Sequence, residues 1–247
     1  MHTVCQKNAF TLLYQDAYLV AIHKPAGLLV HRSPIDKHET EFALQYTRDA
    51  IGQKVYAIHR LDKATSGILL FALDPQTARL MADQFSHHTI EKTYWAICRG
   101  WANEQGYIDH ALKYQQDKIA DKVKPDRLEP QSAQTAYRTL ATTQVSHTMG
   151  RYDQQRYCLI EMQPKTGRKH QLRRHMNHIK HPIIGDVKHG DRHHNHFFYE
   201  RMGHHRLYLA AIRLRFIHPI ENRPVTIEAP LQENFQATLN TFMLTIN

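Results

Sequence analysis

Apolar and polar positions alternate along the chain with two different periods. Phe10 to Tyr14 and Tyr18 to His23 alternate with a period near two around a turn at Gln15-Asp16, which predicts an opening β-hairpin. Lys24-Pro25-Ala26-Gly27 predicts a turn from its Pro and Gly. Glu39 to Ile51 predicts a helix. Asp74 reads as a helix N-cap with Pro75 at the first helical position, after which Ala78, Met81, Ala82 and Phe85 recur on one helix face. Runs of β-branched and aromatic residues predict strands at Val55 to His59, Ile68 to Leu73, Tyr94 to Arg99, Tyr157 to Met162, Leu207 to Phe216 and Val225 to Ile227. Gly167 to His181 predicts a helix whose apolar face carries Leu172, Met176 and Ile179, with Arg168, Lys169, Arg173, Arg174, His178 and Lys180 around the remainder. Asp109 to Pro130 and Asp191 to His205 are polar and weakly patterned, and predict long loops. With no internal repeat and no Ser/Gly linker, the pattern is mixed α and β.

Composition narrows the class. The 247 residues are 42% hydrophobic and 22% charged, enough apolar material for a core and too little bias for a disordered or fibrous chain. The longest apolar stretch, about Gly67 to Leu73, is far short of the ~20 residues a membrane helix needs. Met1 to Phe10 lacks the pattern of a signal peptide, so a cytoplasmic location is expected. Cys5, Cys98 and Cys158 are too far apart for a CxxC site, and their odd number argues for reduced, buried thiols.

Charge is the more informative quantity. Lys and Arg outnumber Asp and Glu by 32 to 23, and the excess falls between Arg151 and His218, where fourteen basic residues meet five acidic ones. That segment also holds 11 of the 20 histidines. A basic face of this kind attracts polyanions, nucleic acid before lipid, because no amphipathic helix here pairs its basic side with Trp or Phe.

Three segments carry candidate chemistry. His59-Arg60-Leu61-Asp62-Lys63-Ala64-Thr65-Ser66-Gly67 joins two predicted strands. An Asp in such a loop is most often a turn former, but one surrounded by Arg, Thr and Ser donors stays ionised, as a nucleophile must. TGRKHQLRRH, Thr166 to His175, brings a loop into the basic helix, where adjacent Leu172 and Arg173 project in different directions. Lys92-Thr93-Tyr94 leads into the strand ending at Gly100, where a tyrosine is ordinarily a packing residue.

In order and spacing, HRLDKATSG, KTYWAICRG and TGRKHQLRRH resemble the signature segments of the RluA-type pseudouridine synthases, and HKPAGLLVH and HPIIGD fit the flanking ones. The resemblance covers about residues 10 to 230. Within the family, IGQKVYAIHRLD, DKIADK, PKTGRKHQLRRH and GDVKHGD are most similar to members that modify uridine 65 of tRNA.

The resemblance implies an α+β catalytic fold: a central mixed, mostly antiparallel sheet with flanking helices and a cleft across its middle. It implies a single catalytic domain over residues 1–247 with no appended N-terminal RNA-binding domain. Asp62 becomes the nucleophile or base, Tyr94 the active-site aromatic, and Arg173 the ion-pair partner of Asp62. Arg60 helps displace the target base, and His59, Arg168, Lys169, Arg174 and Lys188 join it as RNA-binding residues. Leu172, Thr65, Ser66 and Gly67 support the site. No metal or cofactor is implied, since the reaction is an isomerisation. The implied partner is tRNA, with no membrane, no obligate protein partner and a monomeric chain. Two positions depart from the family pattern: Leu209-Ala210-Ala211 replaces Leu-His-Ala, and His189 stands where Tyr is common.

Besides a synthase of the same family acting on another RNA site, two rival readings remain at this level. His170, His175, His178 and His181, with His189, His193, His194, His196, His204 and His205, could bind zinc, although no HExxH or paired Cys accompanies them and their neighbours are mostly basic. A non-catalytic RNA-binding protein is the other, which leaves Asp62, Tyr94 and Arg173 unexplained.

Overall fold

The computed structural model describes residues 11–32, 38–113 and 129–245. Met1 to Phe10 with Cys5, and most of the Asp109 to Pro130 loop including the DKIADK segment, lie outside the described residues. In chain order the strands are β1 (Leu12–Gln15), β2 (Leu19–Lys24), β3 (Tyr56–Ala57), β4 (Ser66–Ala72), β5 (Glu91–Arg99), β6 (Gln105–Asp109), β7 (Gln134–Met149), β8 (Tyr152–Pro164), β9 (Leu209–Ile217) and β10 (Pro224–Glu228). The helices are α1 (Ala43–Ile51), α2 (Pro75–Ser86), α3 (Gln171–His178), α4 (Arg192–Met202) and α5 (Glu233–Thr241). None is long and apolar enough to cross a membrane. The described residues divide into two compact units, residues 11–32, 38–92, 129 and 211–230, and residues 93–113, 130–210 and 231–245.

In the first unit the strand order is β1-β2-β4-β9, with β3 beside β4 and β10 beside β9. The opening hairpin forms because the Asp16 carboxylate accepts the N–H groups of Tyr18 and Leu19, each at 2.7 Å, which fixes the turn. Every residue of β4 is buried. Its alternate side chains supply two cores: Ile68, Leu70 and Ala72 pack with Leu19, Met81 and Phe216, while Leu69 and Phe71 pack with Val20, Ile22 and Ala43. That two-sided burial explains why the segment reads as a continuous apolar run. Helix α2 begins as the sequence predicts, the Asp74 carboxylate accepting the Thr77 N–H at 2.8 Å. Helix α1 starts at Ala43, four residues after Glu39, and the Val55 to His59 strand shortens to Tyr56–Ala57.

In the second unit the order is β5-β8-β7-β6, and the β5–β8, β8–β7 and β7–β6 pairings are antiparallel. Cys98 faces Cys158 across β5 and β8, and both are buried free thiols, as expected. The basic helix is shorter than the Gly167 to His181 span, because His170 takes a left-handed φ of 54° and blocks helix before Gln171. The largest correction concerns Asp191 to His205, which forms α4 rather than a loop. Asp191 caps it by accepting the His193 N–H at 2.9 Å, and His194, Phe197 and Phe198 form its buried face. Histidine on that face disguised the helical period. The sequence pattern predicts none of β6, β7 and α5. The α+β class holds.

Candidate active site

In the first unit, residues 58–65 connect β3 to β4, and Asp62 lies half-buried within that connection. Thr65 donates its backbone N–H to the Asp62 carbonyl at 3.0 Å, closing a turn at that residue. Thr65, Ser66 and Gly67 are buried. Gly67 has a φ of 113°, and a Cβ there would stand 2.1 Å from the Ala211 carbonyl oxygen, so the close approach of the two backbones requires glycine. Arg60 is exposed. His59 behaves differently from its expected RNA-binding role: its Nε2 accepts the Leu70 N–H at 2.9 Å and its ring stacks on Phe85. Burial first, then the Lys92 charge, pushes its pKa down to about 3, so it is a neutral acceptor that ties the loop to β4.

Lys24 was missed in the sequence. It ends β2, fully buried, and its Nζ donates to the carbonyls of Pro25 (2.8 Å), Leu28 (2.8 Å) and Lys63 (3.1 Å). The Lys63 carbonyl also accepts the Gly27 N–H at 2.8 Å, so the residue after Asp62 is held from two sides. Burial pulls the Lys24 ammonium down to about 7, against an upward pull from the Asp62 charge. The sequence signal is slight, a lysine before Pro at a strand end.

A pH experiment checks this environment. The unfolded lysine ionises near ~10.4. Above pH 7 the unfolded chain therefore holds a proton that folded Lys24 has lost, and stability must rise with pH. Relative to Lys24→Met, the wild-type unfolding free energy should climb by about 1.4 kcal/mol per pH unit from pH 7 towards 9. Urea titrations showing a difference independent of pH would contradict it.

In the second unit, Tyr94 is half-buried on β5 opposite Met162. Arg173 and Leu172 lie buried on α3. The Arg173 guanidinium forms a two-point pair with Asp186, Nε to Oδ2 at 2.7 Å and Nη2 to Oδ1 at 2.8 Å. Asp186 Oδ1 also accepts the N–H groups of Lys188 and His189, each at 2.9 Å. Burial works to raise the Asp186 pKa, but the Arg173 bond and charge and the two N–H donors outweigh it and hold the carboxyl below its ordinary range. Asp186 is the second residue missed, although it ends the HPIIGD segment.

Gln171 organises the basic loop ahead of α3. Its Oε1 accepts from the Thr166 hydroxyl (2.7 Å) and the Arg168 N–H (3.0 Å), and its Nε2 donates to the Gln134 carbonyl at 2.9 Å. Arg168 and Lys169 are half-buried, and Arg168 donates through Nε to the Ser132 carbonyl at 3.1 Å. Arg174 is half-buried and Lys188 exposed. The histidines have separate partners: His170 with His189 at 2.9 Å, His175 with the Thr135 hydroxyl at 2.9 Å, His181 with the Arg99 carbonyl at 2.9 Å and His194 with the Tyr157 hydroxyl at 3.0 Å. Among the described residues no group of three or more His, Cys, Asp or Glu side chains is placed to share a metal ion.

The structure thus gathers Arg60, Asp62 and Thr65 to Gly67 in the first unit and Tyr94, Leu172, Arg173 and Arg174 in the second. Residues 18–178 match the family described as RNA pseudouridylate synthase, and the chain belongs to that family. It is an RNA pseudouridine synthase, an isomerase. Its relatives include the tRNA pseudouridine synthase C of Vibrio cholerae, 54% identical over 94% of this chain and 95% of that protein. The tRNA pseudouridine synthase C of Haemophilus influenzae is 49% identical over 94% of this chain and 97% of that one. Among solved structures, human RNA pseudouridylate synthase domain containing 4 is similar with a TM-score of 0.70 and 27% identity, covering 95% of this chain and 94% of the human one.

Proposed function

We propose that this chain isomerises a stem uridine of tRNA, at position 65, to pseudouridine through Asp62. The observation that carries the reading is the 54% identity, over nearly the full length of both proteins, to a relative whose name specifies tRNA. The basic excess between Arg151 and His218 supports a polyanionic partner.

In the proposed reaction the N1–C1′ bond of the uridine breaks and a C5–C1′ bond forms, while the C5 proton leaves and N1 regains one. Electrons balance within the base and ribose, with no oxidant or reductant. The Asp62 carboxylate either adds to C1′ or removes the 2′ proton to give a glycal. In this reading Arg173 serves as the ion-pair partner of Asp62, and Tyr94 is the aromatic that meets the base. A paired uridine must leave its stack, at a cost of a few kcal/mol, which Arg60 offsets by occupying its place. The closed deep groove of A-form RNA leaves phosphates, 2′-hydroxyls and shape as the recognised features.

Tritium release from tRNA labelled at uridine C5 tests the activity, and mapping of the product tests the site. Release should track pseudouridine at position 65. Release from another RNA but not from tRNA would overturn the substrate. Binding should also weaken by about 10³-fold or more between 50 and 200 mM salt if six or more phosphates are neutralised. A flat salt response would remove the basic face from the explanation.

A further inference from the structure

Strands β7 and β8 form a long hairpin around Gly150, whose φ of 61° suits the tight turn. Its two faces differ. On one, Tyr157 packs against Phe197, Phe198 and Phe242, and His147 stacks on Phe197 at 4.2 Å. On the other, Tyr152, Gln154 and Arg156 are exposed, with Ser146 paired opposite Gln154 and Gln144 opposite Arg156. Between Tyr152 and Arg156 the acidic residue of β8 is Asp153, which alternates away from Tyr152, Gln154 and Arg156.

Trp101 stands at the base of this bare face, 44% exposed despite being the largest side-chain type. It is fixed rather than loose. Its indole N–H donates to the Thr143 carbonyl at 2.9 Å, and the preceding Gly100 donates its N–H to the Arg156 carbonyl at 2.7 Å. The Arg156 guanidinium lies 4.3 Å from the indole centroid, and its Nε donates to Gln144 at 3.1 Å. At the far end Arg151 repeats the arrangement over Tyr152 at 5.1 Å. Cations stacked on rigid exposed aromatics, flanked by amide side chains, are the features that receive splayed bases and phosphates.

We infer that this hairpin face is a second RNA-docking surface, which grips a part of the substrate remote from the reacting uridine through Trp101, Arg156 and the Arg151–Tyr152 pair. The inference rests on the reading that the substrate is tRNA. Tyr94 is opposite Met162, so at about 3.3 Å per residue Arg156 lies about 20 Å and Tyr152 about 33 Å further along β8. A short hairpin carrying the target uridine would not reach both places, whereas a folded tRNA would.

The experiment compares full-length tRNA with a short stem-loop containing the target uridine. Trp101→Ala and Arg156→Gln should each raise KM for tRNA by about tenfold, from the loss of one stacking or phosphate contact, with kcat and the stem-loop KM unchanged. The chain has two tryptophans, so quenching of fluorescence by tRNA that is lost in Trp101→Phe reports contact at this residue. An unchanged KM for tRNA, or an equal rise for both RNAs, would overturn the docking surface. So would quenching that persists undiminished in Trp101→Phe. A wild type inactive on tRNA would instead overturn the substrate reading, and the quenching would still judge the surface by itself.

Discussion

Asp62→Asn is expected to lower the rate on tRNA by roughly 10³-fold or more, at least about 4 kcal/mol of barrier, with the fold intact. Asparagine keeps the volume and one acceptor oxygen but can neither add to C1′ nor remove a proton near neutral pH. The Asp62 backbone contact is a carbonyl accepting from Thr65, which the substitution leaves alone. A measurable side effect should appear at Lys24. Without the neighbouring charge that pulls it upward, the buried ammonium should ionise below its present value of about 7. Tritium release, thermal melting and the pH dependence of urea unfolding read these three expectations. Activity within tenfold of wild type would remove Asp62 from the chemistry.

Arg173→Ala should cost about 3–5 kcal/mol of stability, because it strands the Asp186 carboxylate in a buried site. The pH dependence distinguishes this cause from lost packing. The folded Asp186 pKa is depressed, so the stabilisation by its charge is present above the unfolded value near ~3.9 and fades as pH falls through the folded one. In Arg173→Ala the carboxylate instead prefers to be protonated, and the deficit relative to wild type should shrink as pH drops from 7 towards 4. Combining Arg173→Ala with Asp186→Leu should recover much of the stability and none of the activity. A single variant losing under 1 kcal/mol, or a deficit constant with pH, would mean that the pair does not hold α3 in place.

Elements whose two faces meet conventional surroundings were legible in the sequence. The β1–β2 hairpin, β4 and α2 announce themselves because Asp16 and Asp74 make their bonds to neighbours two or three residues away. Helix α4 was not legible, since a buried histidine hydrogen-bonded to Tyr157 reads as polar in any periodicity. Strand β7 was obscured for a related reason: its two buried positions are Thr135 and Thr143, so it carries no apolar alternation. The Asp62 and Arg173 segments stood out by motif, while Lys24 and Asp186 sit in the flanking HKPAGLLVH and HPIIGD segments with no sign there of the groups they bind. Lys24 reaches Lys63 across 39 positions, and Asp186 reaches Arg173 across 13, separations that local patterns do not encode.

The closeness of Gly67 to Ala211 has a consequence for biogenesis. The strand that follows the Asp62 loop fits its neighbour only when a segment more than 140 residues downstream has been made. A nascent chain released from the ribosome before that point lacks the backbone against which Gly67 is seated. Seating of this loop is therefore a late event of synthesis, completed when the segment from Ala211 onward joins what was translated first.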